Sequence, residues 1–192
     1  MEIKYFSQLK STNQKAKELS SKEAKPWLVV VAEKQTAGYG KEKVPWFSPK
    51  GGLYFSIVLP KSKIEDLQTL TILAAFIVAK TIKDYYPPPT LRSQPSHPKK
   101  DVLSFEPLIK LPNDVLLNGK KICGILTENI IGKEVKSSVI GIGLNTNIDK
   151  FPKELEDEAT SLKIELGREV NNEKILKQIV EGIKQQLATI SE

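Results

Sequence analysis

One stretch of the chain constrains the fold and the function more than any other: Lys110-Leu111-Pro112-Asn113-Asp114, followed by Lys120-Lys121 and the run from Ile122 to Glu128. The apolar residues before Lys110 predict a strand, and Pro-Asn-Asp predicts a turn. Asn118-Gly119, between two apolar runs, is the strongest short signal for a β-hairpin. The three lysines therefore come together beside an apolar interior, where their charge suits a carboxylate or a triphosphate.

Apolar patterns along the rest of the chain predict an α+β fold, with a mixed, largely antiparallel β-sheet and helices packed on one side. The predicted strands are residues 3–6, 27–32, 53–59, 105–110, 115–128 and 135–146. The predicted helices are residues 11–19, 64–85, 154–162 and 172–187. We expect one catalytic domain over residues 1–192, with its core in 1–147 and a helical segment at about 153–190.

Residues 86–104 break this pattern with Pro87-Pro88-Pro89 and two further prolines. Proline at this density opposes a regular element, so we predict an extended insertion. The insertion contains His97, the only histidine of the chain. We interpret His97 as a solvated loop residue rather than a catalytic one.

The composition excludes several classes of protein. Apolar residues make up 40% and charged residues 27% of the chain, as in ordinary globular proteins. No apolar run reaches the ~18 residues that span a bilayer, and no signal peptide precedes the first strand, so we expect a cytoplasmic protein without a membrane partner. The single cysteine, Cys123, excludes an intramolecular disulfide and is interpreted as a small core residue.

The net charge of +6 raises the question of nucleic-acid binding. Only Arg92 and Arg168 are arginines, and the remaining positive charge is lysine spread along the chain. Proteins that read nucleic acids usually depend on the two-pronged hydrogen bonding of arginine. No helix-turn-helix pattern precedes the first strand, so we expect no DNA partner. A lysine-rich face would instead attract an acidic protein.

Three further motifs carry polar groups. Ser11-Thr12-Asn13 stands at a predicted helix start, where it either caps the helix or offers hydroxyls and an amide to a ligand. In the loop Gln35-Thr36-Ala37-Gly38-Tyr39-Gly40-Lys41, the glycines let the backbone close around a ligand, and Lys41 can neutralise phosphate. The alternative interpretation of this loop is a mobile turn that binds no ligand. Trp46 and Phe47 follow in the same loop, which indicates that the loop covers a small molecule.

The third motif is Gly141-Ile142-Gly143-Leu144-Asn145. Glycines inside a strand indicate the close approach of a ligand or of another backbone. The alternative interpretation of these glycines is a tightly packed strand that contacts no ligand. Asn145 offers both a donor and an acceptor to the edge of a nucleobase. The sequence has neither a Walker-type phosphate loop nor a cluster of metal ligands.

Taken together and in this order, the motifs resemble the catalytic domain of the biotin protein ligases. The resemblance runs from about Ile3 to Asn147 and rests on Ser-Thr-Asn, Gln-x-x-Gly-x-Gly, Trp-x-Ser-Pro-x-Gly-Gly-Leu-Tyr-x-Ser, Lys-x-Pro-Asn-Asp, Lys-x-x-Gly-Ile-Leu-x-Glu and Gly-x-Gly-x-Asn. It implies an ATP-dependent biotin–[acetyl-CoA-carboxylase] ligase. Such an enzyme converts biotin and ATP, with Mg²⁺, into biotinyl-5′-AMP and pyrophosphate. It then transfers biotin to a lysine of a biotin carboxyl carrier protein or domain.

The resemblance also implies roles for individual residues. The biotin-binding residues would be Ser11, Thr12, Asn13, Gln35, Gly38, Tyr39, Gly40, Lys110 and Gly124, and the ATP-binding residues would be Lys41, Trp46, Asn113, Lys121 and Asn145. The catalytic residues would be Lys110, Asp114, Lys41 and Lys121. Lys110 would bridge the biotin carboxylate and the α-phosphate, offsetting their repulsion. Asp114 would orient or deprotonate the incoming amine, although a solvated turn aspartate is the alternative.

Two departures from the family pattern stand out. The family loop normally reads Gly-Arg-Gly-Arg, whereas Tyr39 and Lys41 occupy the arginine positions here. Lysine lacks the bidentate fork of arginine, so we expect weaker retention of the adenylate. Family members usually add a small β-barrel after the last helix, and the sequence predicts neither this barrel nor an N-terminal DNA-binding domain. We therefore expect an enzyme that is not also a repressor.

Two other functions remain open from the sequence. A lipoate or octanoyl ligase or transferase shares the fold and the site lysine, but the Arg-Arg-x-Gly-Gly-Gly stretch typical of lipoate ligases is missing. A biotin-binding module with weakened catalysis would also explain the changed loop. A homodimer formed through an open sheet edge is a further expectation of the resemblance.

Overall fold

The computed structural model describes residues 1–22, 26–60, 66–85, 106–131 and 135–191. Its strands are β1 (Glu2–Phe6), β2 (Leu28–Ala32), β3 (Leu53–Val58), β4 (Leu108–Lys110), β5 (Asp114–Leu117), β6 (Lys120–Ile131) and β7 (Val135–Leu144). Its helices are α1 (Thr12–Lys22), α2 (Leu67–Asp84), α3 (Leu162–Leu166) and α4 (Asn172–Ser191), with one 3-10 turn at Lys41–Lys43. The proline-rich stretch 86–104, with His97, lies outside the described residues.

The strands form one sheet in the order β1-β2-β3-β7-β6-β5-β4. β1 and β2 run parallel, and α1 makes the crossover that a parallel pair requires. The other neighbouring strands pair in antiparallel fashion. The α+β class and the mixed, largely antiparallel sheet predicted from the sequence are therefore confirmed.

The β5–β6 hairpin turns at the predicted Asn118-Gly119 pair. Both residues have positive φ, 52° and 79°, which is the backbone conformation of a two-residue type I′ turn. On the other side of β5, Lys110 pairs with Asp114 across the turn that the Pro-Asn-Asp motif predicts. That turn contains a cis peptide bond at Leu111-Pro112.

The two faces of the sheet are covered by different helices. On one face, residues such as Val29 and Phe55 join the large core that α2 and α4 complete. On the other face, Val30 packs in a smaller cluster with Ala16 of α1. Helix α1 therefore lies opposite α2 and α4, which corrects the prediction that the helices pack on one side.

The reason for this error lies in the composition of α1. Residues 12–22 contain only two apolar side chains, Ala16 and Leu19, so periodicity did not show which face of the sheet the helix covers. Such a short helix covers only part of the sheet. The neighbouring part of the same face, called the α1 face below, carries Ser56 and Gly141 close to the start of α1.

The long helices agree with their predicted positions. Asp66 caps α2 by accepting hydrogen bonds from the backbone N–H groups of Gln68 and Thr69. Helix α4 contributes Ile175, Leu176, Ile179, Val180, Ile183 and Leu187 to the large core. None of the helices in the described ranges is long and apolar enough to cross a membrane.

The sequence predicted a helix at residues 154–162, and this prediction is wrong. Helix α3 begins only at Leu162, where the Ser161 hydroxyl caps it by accepting a hydrogen bond from a backbone N–H at 3.1 Å. Upstream, the Thr160 N–H donates to the Lys121 carbonyl at 3.0 Å. Residues 153–158 form turns and Ala159 bridges to Lys121 of β6, which separates these turns from α3. Helical periodicity carries no signal of such a distant partner.

Candidate active site

Two adjoining clefts open on the α1 face. The first cleft, of about 40 Å³, is lined by the predicted ligand residues Ser11, Thr12, Asn13, Gln35, Tyr39, Gly40 and Gly124, together with Trp46, Asn113, Gly141 and Gly143. The second cleft, of about 480 Å³, is lined by Trp46, Lys110, Asp114, Lys121 and Asn145, among others. Trp46 lines both clefts and so forms the partition between them.

The strand glycines make room for side chains of the protein itself. A Cβ atom on Gly141 would lie 2.1 Å from Asn13 Oδ1, and one on Gly143 would lie 2.3 Å from Trp46 Nε1. A Cβ atom on Gly124 would lie 3.1 Å from the same indole ring. The close approach predicted from the glycines is therefore made, in this structure, by the Asn13 amide and the Trp46 indole.

A buried polar network forms the end of the first cleft at α1. Gln35 Oε1 accepts hydrogen bonds from the Thr12 N–H at 2.8 Å and from the Thr12 hydroxyl at 3.1 Å. The fully buried Ser56 hydroxyl lies 2.8 Å from Thr12 Oγ1 and 2.6 Å from Asn13 Oδ1. The amide group of Gln35 also donates to Ser48 at 3.1 Å. These bonds fix the orientation of donors and acceptors that would otherwise rotate.

Glu128 supports the same end of the cleft through two of its lining residues, Asn13 and Tyr39. It accepts hydrogen bonds from Lys17 Nζ at 2.8 Å, Asn13 Nδ2 at 2.8 Å and the Tyr39 hydroxyl at 3.1 Å. Burial by itself would raise the pKa of Glu128, but the bonds from Lys17, Asn13 and Tyr39 hold that pKa below its usual value. Burial and the nearby Glu128 charge raise the pKa of Tyr39 to about 12. Tyr39 is therefore a neutral donor and Glu128 an ionised acceptor.

The predicted ligand loop is a small ordered hairpin. The Trp46 N–H donates to the Gly38 carbonyl at 2.9 Å, and the Gly40 N–H donates to the Val44 carbonyl at 2.8 Å. Gly38 is buried, and a Cβ atom there would lie 2.8 Å from Gln35 Nε2. Lys41 lies at the exposed tip of the hairpin and lines neither cleft. Of the predicted loop residues, Tyr39 and Gly40 thus reach the cleft and Lys41 does not.

The second cleft is lined by two lysines, Lys110 and Lys121, and by the carboxylates Asp114, Asp157 and Glu158. Lys121 Nζ lies 2.8 Å from Asp114 Oδ1 and 5.1 Å from the centre of the Trp46 ring. Asn113 donates to the same Asp114 carboxylate at 3.0 Å. Asp114 is only 18% exposed, so its ion pair is shielded from solvent more than most surface pairs. The alternative of a solvated turn aspartate does not agree with this environment.

Asn145 and Trp46 each present an unpaired polar atom. The Asn145 amide group donates to the Thr160 carbonyl at 3.1 Å, but its buried Oδ1 has no partner among the residues that the structure describes. The same is true of the buried indole N–H of Trp46. Since an unpaired buried polar group costs about 1–3 kcal/mol, a ligand that hydrogen-bonds to either atom regains that energy.

Sequence reasoning missed Lys17 and assigned no role to Ser56 or Glu128. Ser56 stood at the end of a motif used for the resemblance, as the one serine of strand β3. Glu128 stood in a motif used for the resemblance, but its partners are far away in sequence. Cys123 is fully buried and burial raises the pKa of its thiol, in agreement with a core residue.

Comparison with known proteins identifies the family. The family model described as the biotin/lipoate A/B protein ligase family matches residues 5–145. The chain belongs to this family. The matched residues of the biotin/lipoate ligase domain include every predicted site residue, from Ser11 to Asn145.

Relatives and solved structures agree with the family. The bifunctional ligase/repressor BirA of Bacillus subtilis is 36% identical over 181 residues, which are 92% of this chain and 50% of that protein. The biotin–[acetyl-CoA-carboxylase] ligase of Paracoccus denitrificans is 31% identical over 60% of this chain and 43% of that protein. A structure of the Aquifex aeolicus biotin protein ligase in complex with biotin and ATP superposes with a TM-score of 0.80. It is 26% identical and is matched over 99% of this chain and 72% of that chain.

The chain spans about half the length of the Bacillus relative. The comparisons therefore establish the family and the fold of this biotin/lipoate ligase domain.

Proposed function

We propose that this chain is a biotin–protein ligase that activates biotin with ATP and transfers it to a lysine of a carrier protein. The Paracoccus relative is named a biotin–[acetyl-CoA-carboxylase] ligase, and the Aquifex structure contains biotin and ATP. The observation that carries the proposal is the geometry of the two clefts. A neutral, hydrogen-bonding cleft meets a lysine-containing cleft at one shared side chain, Trp46.

The first cleft matches the ureido ring of biotin. That ring has one carbonyl acceptor and two N–H donors, and the cleft offers hydroxyl and amide groups from Ser11, Thr12 and Gln35. Ile125 and Ile142 supply apolar surface for the sulfur-containing ring. A space of about 40 Å³ holds little more than one water molecule, so the ring enters only when a lining side chain moves. Tyr39 and Trp46 both line the cleft and belong to the same hairpin loop, so the ring enters when this loop opens.

The second cleft matches ATP, which brings its own Mg²⁺. In the first step an oxygen of the biotin carboxylate attacks the α-phosphorus, and the bond to pyrophosphate breaks. Both reactants are anions, so Lys110 and Lys121 lower the barrier by offsetting the charge that accumulates between them. Asn145 Oδ1 is an acceptor for the amino group of adenine, and the Trp46 ring offers a surface for stacking.

In the second step a carrier lysine amine attacks the acyl carbon of biotinyl-5′-AMP, and AMP leaves. The amine must arrive without its extra proton, because an ammonium group has no free electron pair. Asp114 accepts a hydrogen bond from that amine and orients it, while Lys121 keeps the carboxylate in place. The proton released when the amide bond forms passes to Asp114 or to solvent.

The partner and the assembly follow from the same proposal. The carrier is a biotin carboxyl carrier protein or domain, as the name of the Paracoccus relative indicates. We propose a cytoplasmic enzyme that forms a homodimer through a sheet edge. Strand β1 is an edge of the sheet and has exposed Tyr5 available for such pairing.

The proposal is tested by incubating the purified chain with Mg-ATP and either biotin or lipoate, and analysing the products by mass spectrometry. We expect biotinyl-5′-AMP and pyrophosphate in the biotin sample alone. Lipoyl-5′-AMP in the other sample would assign the chain to the lipoate branch of the family. If neither adenylate forms while biotin raises the melting temperature, the chain is a binding module and the proposal is wrong.

A further inference from the structure

Glu128 connects two parts of the first cleft that are distant in sequence. Its carboxylate lies on β6 and is 20% exposed. From α1 it receives hydrogen bonds from Asn13 and Lys17, and from the loop it receives one from the Tyr39 hydroxyl. Since the acceptor is ionised, each of these bonds is stronger than a bond between neutral groups.

The loop that carries Tyr39 lies over the first cleft. This cover loop, residues 38–46, is a hairpin closed by the Gly40–Val44 and Gly38–Trp46 backbone bonds. Tyr39 and Trp46 on its two arms both line the cleft. A molecule bound at the end of the cleft near α1 therefore leaves only when the loop moves.

The ring of Tyr39 is held in place from two sides. Its hydroxyl reaches Glu128, and Lys43 Nζ lies 4.0 Å above the centre of its ring. Within the described part of the chain, Lys41, at the tip of the same loop, forms an ion pair only with the neighbouring Glu42, at 4.0 Å. Tyr39 rather than Lys41 therefore gives the loop a charge-assisted hydrogen bond to the sheet, beside the packing of Trp46 against Gly124 and Gly143.

We propose that Glu128 is a positioning residue that, with Tyr39 and Lys17, latches the cover loop over the first cleft and retains the acyl-adenylate until a carrier arrives. This proposal rests on the proposed ligase function. The latch consists of the three side chains Tyr39, Glu128 and Lys17. Lys17 keeps the carboxylate ionised and aimed at the loop, and Tyr39 transmits that attachment to the hairpin. The loop opens only when the Tyr39–Glu128 hydrogen bond breaks. This requirement slows the escape of the activated intermediate.

The latch is tested first without any ligand, by hydrogen exchange of the cover-loop amides. In Tyr39→Phe, which removes only the hydroxyl, we expect the Gly40 and Trp46 amides to exchange roughly tenfold faster. Glu128→Gln should act in the same direction, and the double variant should exchange no faster than the more affected single variant. Exchange in Tyr39→Phe within about twofold of wild type would overturn the latch.

Lysines 15 and 17 provide a matched control on one helix. Lys17 pairs with Glu128, whereas Lys15 pairs with Glu18, and the two side chains are 29% and 26% exposed. We expect Lys17→Met to accelerate exchange in the cover loop and Lys15→Met to leave it unchanged. Equal effects of the two substitutions would mean that α1 acts on the loop through general stability, and the latch would be wrong.

The second measurement is the rate at which preformed biotinyl-5′-AMP leaves the protein, with pyrophosphate release recorded in the same samples. We expect roughly tenfold faster escape from Tyr39→Phe and from Lys17→Met, and wild-type escape from Lys15→Met. Normal pyrophosphate release with unchanged escape refutes the latch and leaves the ligase function intact. If wild type releases no pyrophosphate but loop exchange still depends on Tyr39 and Lys17, the latch holds the loop and the ligase function is wrong.

Discussion

The contact between Gly141 and Asn13 offers a sharp test of how the site is built. A Cβ atom at Gly141 would lie 2.1 Å from Asn13 Oδ1. Asn13 has little freedom to move, because Ser56 Oγ lies 2.6 Å from its Oδ1 and its Nδ2 donates to Leu126 and Glu128 at 3.2 and 2.8 Å. The substitution Gly141→Ala must therefore displace Asn13 from its partners or shift β7.

The size of the effect follows from three terms. Overpacking a filled interior costs about 1–3 kcal/mol. Loss of a buried hydrogen bond of Asn13 costs about 1–3 kcal/mol. Replacing glycine by alanine in a strand stabilises the fold by about 0.5–1 kcal/mol, because glycine loses more backbone freedom on folding. We expect the free energy of unfolding of Gly141→Ala to fall by about 2–4 kcal/mol.

The assay is urea unfolding followed by circular dichroism, with Gly40→Ala as the control. A Cβ atom at Gly40 would meet its nearest neighbour, the Val44 carbonyl, at an ordinary 3.8 Å. This control should stay within about 0.5 kcal/mol of wild type. If Gly141→Ala also stays within that range, the packing of α1 against β7 derived above is wrong.

Three further predictions concern charge and capping. Lys121→Met should lower biotin-dependent pyrophosphate release by about tenfold or more, since it removes the partner of Asp114. Lys120→Met, whose ammonium donates to the Glu156 backbone carbonyl, should change that release by less than about twofold. Because the pKa of Glu128 is lowered in the fold, its stabilisation is present above its usual pKa of 4.5 and is lost as the pH falls through the lowered value. Urea unfolding across acidic pH should therefore show a weaker pH dependence for Glu128→Gln than for wild type, and equal dependence would contradict this assignment. Ser161→Ala removes the cap of α3 and a 2.6 Å bond to a backbone carbonyl, and should lower the free energy of unfolding by about 1–2 kcal/mol in the same assay.

Local sequence signals predicted much of the fold. The Asn118-Gly119 turn and the wholly apolar strand β2 depend on neighbouring residues, and both were found at the predicted positions. Short motifs also contain many of the polar residues that line the two clefts, because each motif keeps its polar groups close together in the chain.

Contacts between distant residues explain what the sequence did not predict. Tyr39 and Glu128 are 89 positions apart, and Asn13 and Glu128 are 115 positions apart, so no local pattern pairs them. Helix α3 starts late because the preceding residues bond to Lys121 on another strand. Lys41 carries the charge expected of a phosphate ligand, yet the hairpin geometry of the loop leaves it at an exposed tip.

The most direct test of the central claim is biotin-dependent exchange of labelled pyrophosphate into ATP, which reports the first half-reaction without a carrier. Lys110→Met is compared with Lys80→Met, a change at an exposed position on α2, which packs on the opposite face of the sheet. We predict exchange that requires biotin, persists in Lys80→Met and is lost in Lys110→Met. Absence of exchange in the wild-type protein, or full exchange without the Lys110 ammonium, would contradict the proposed ligase.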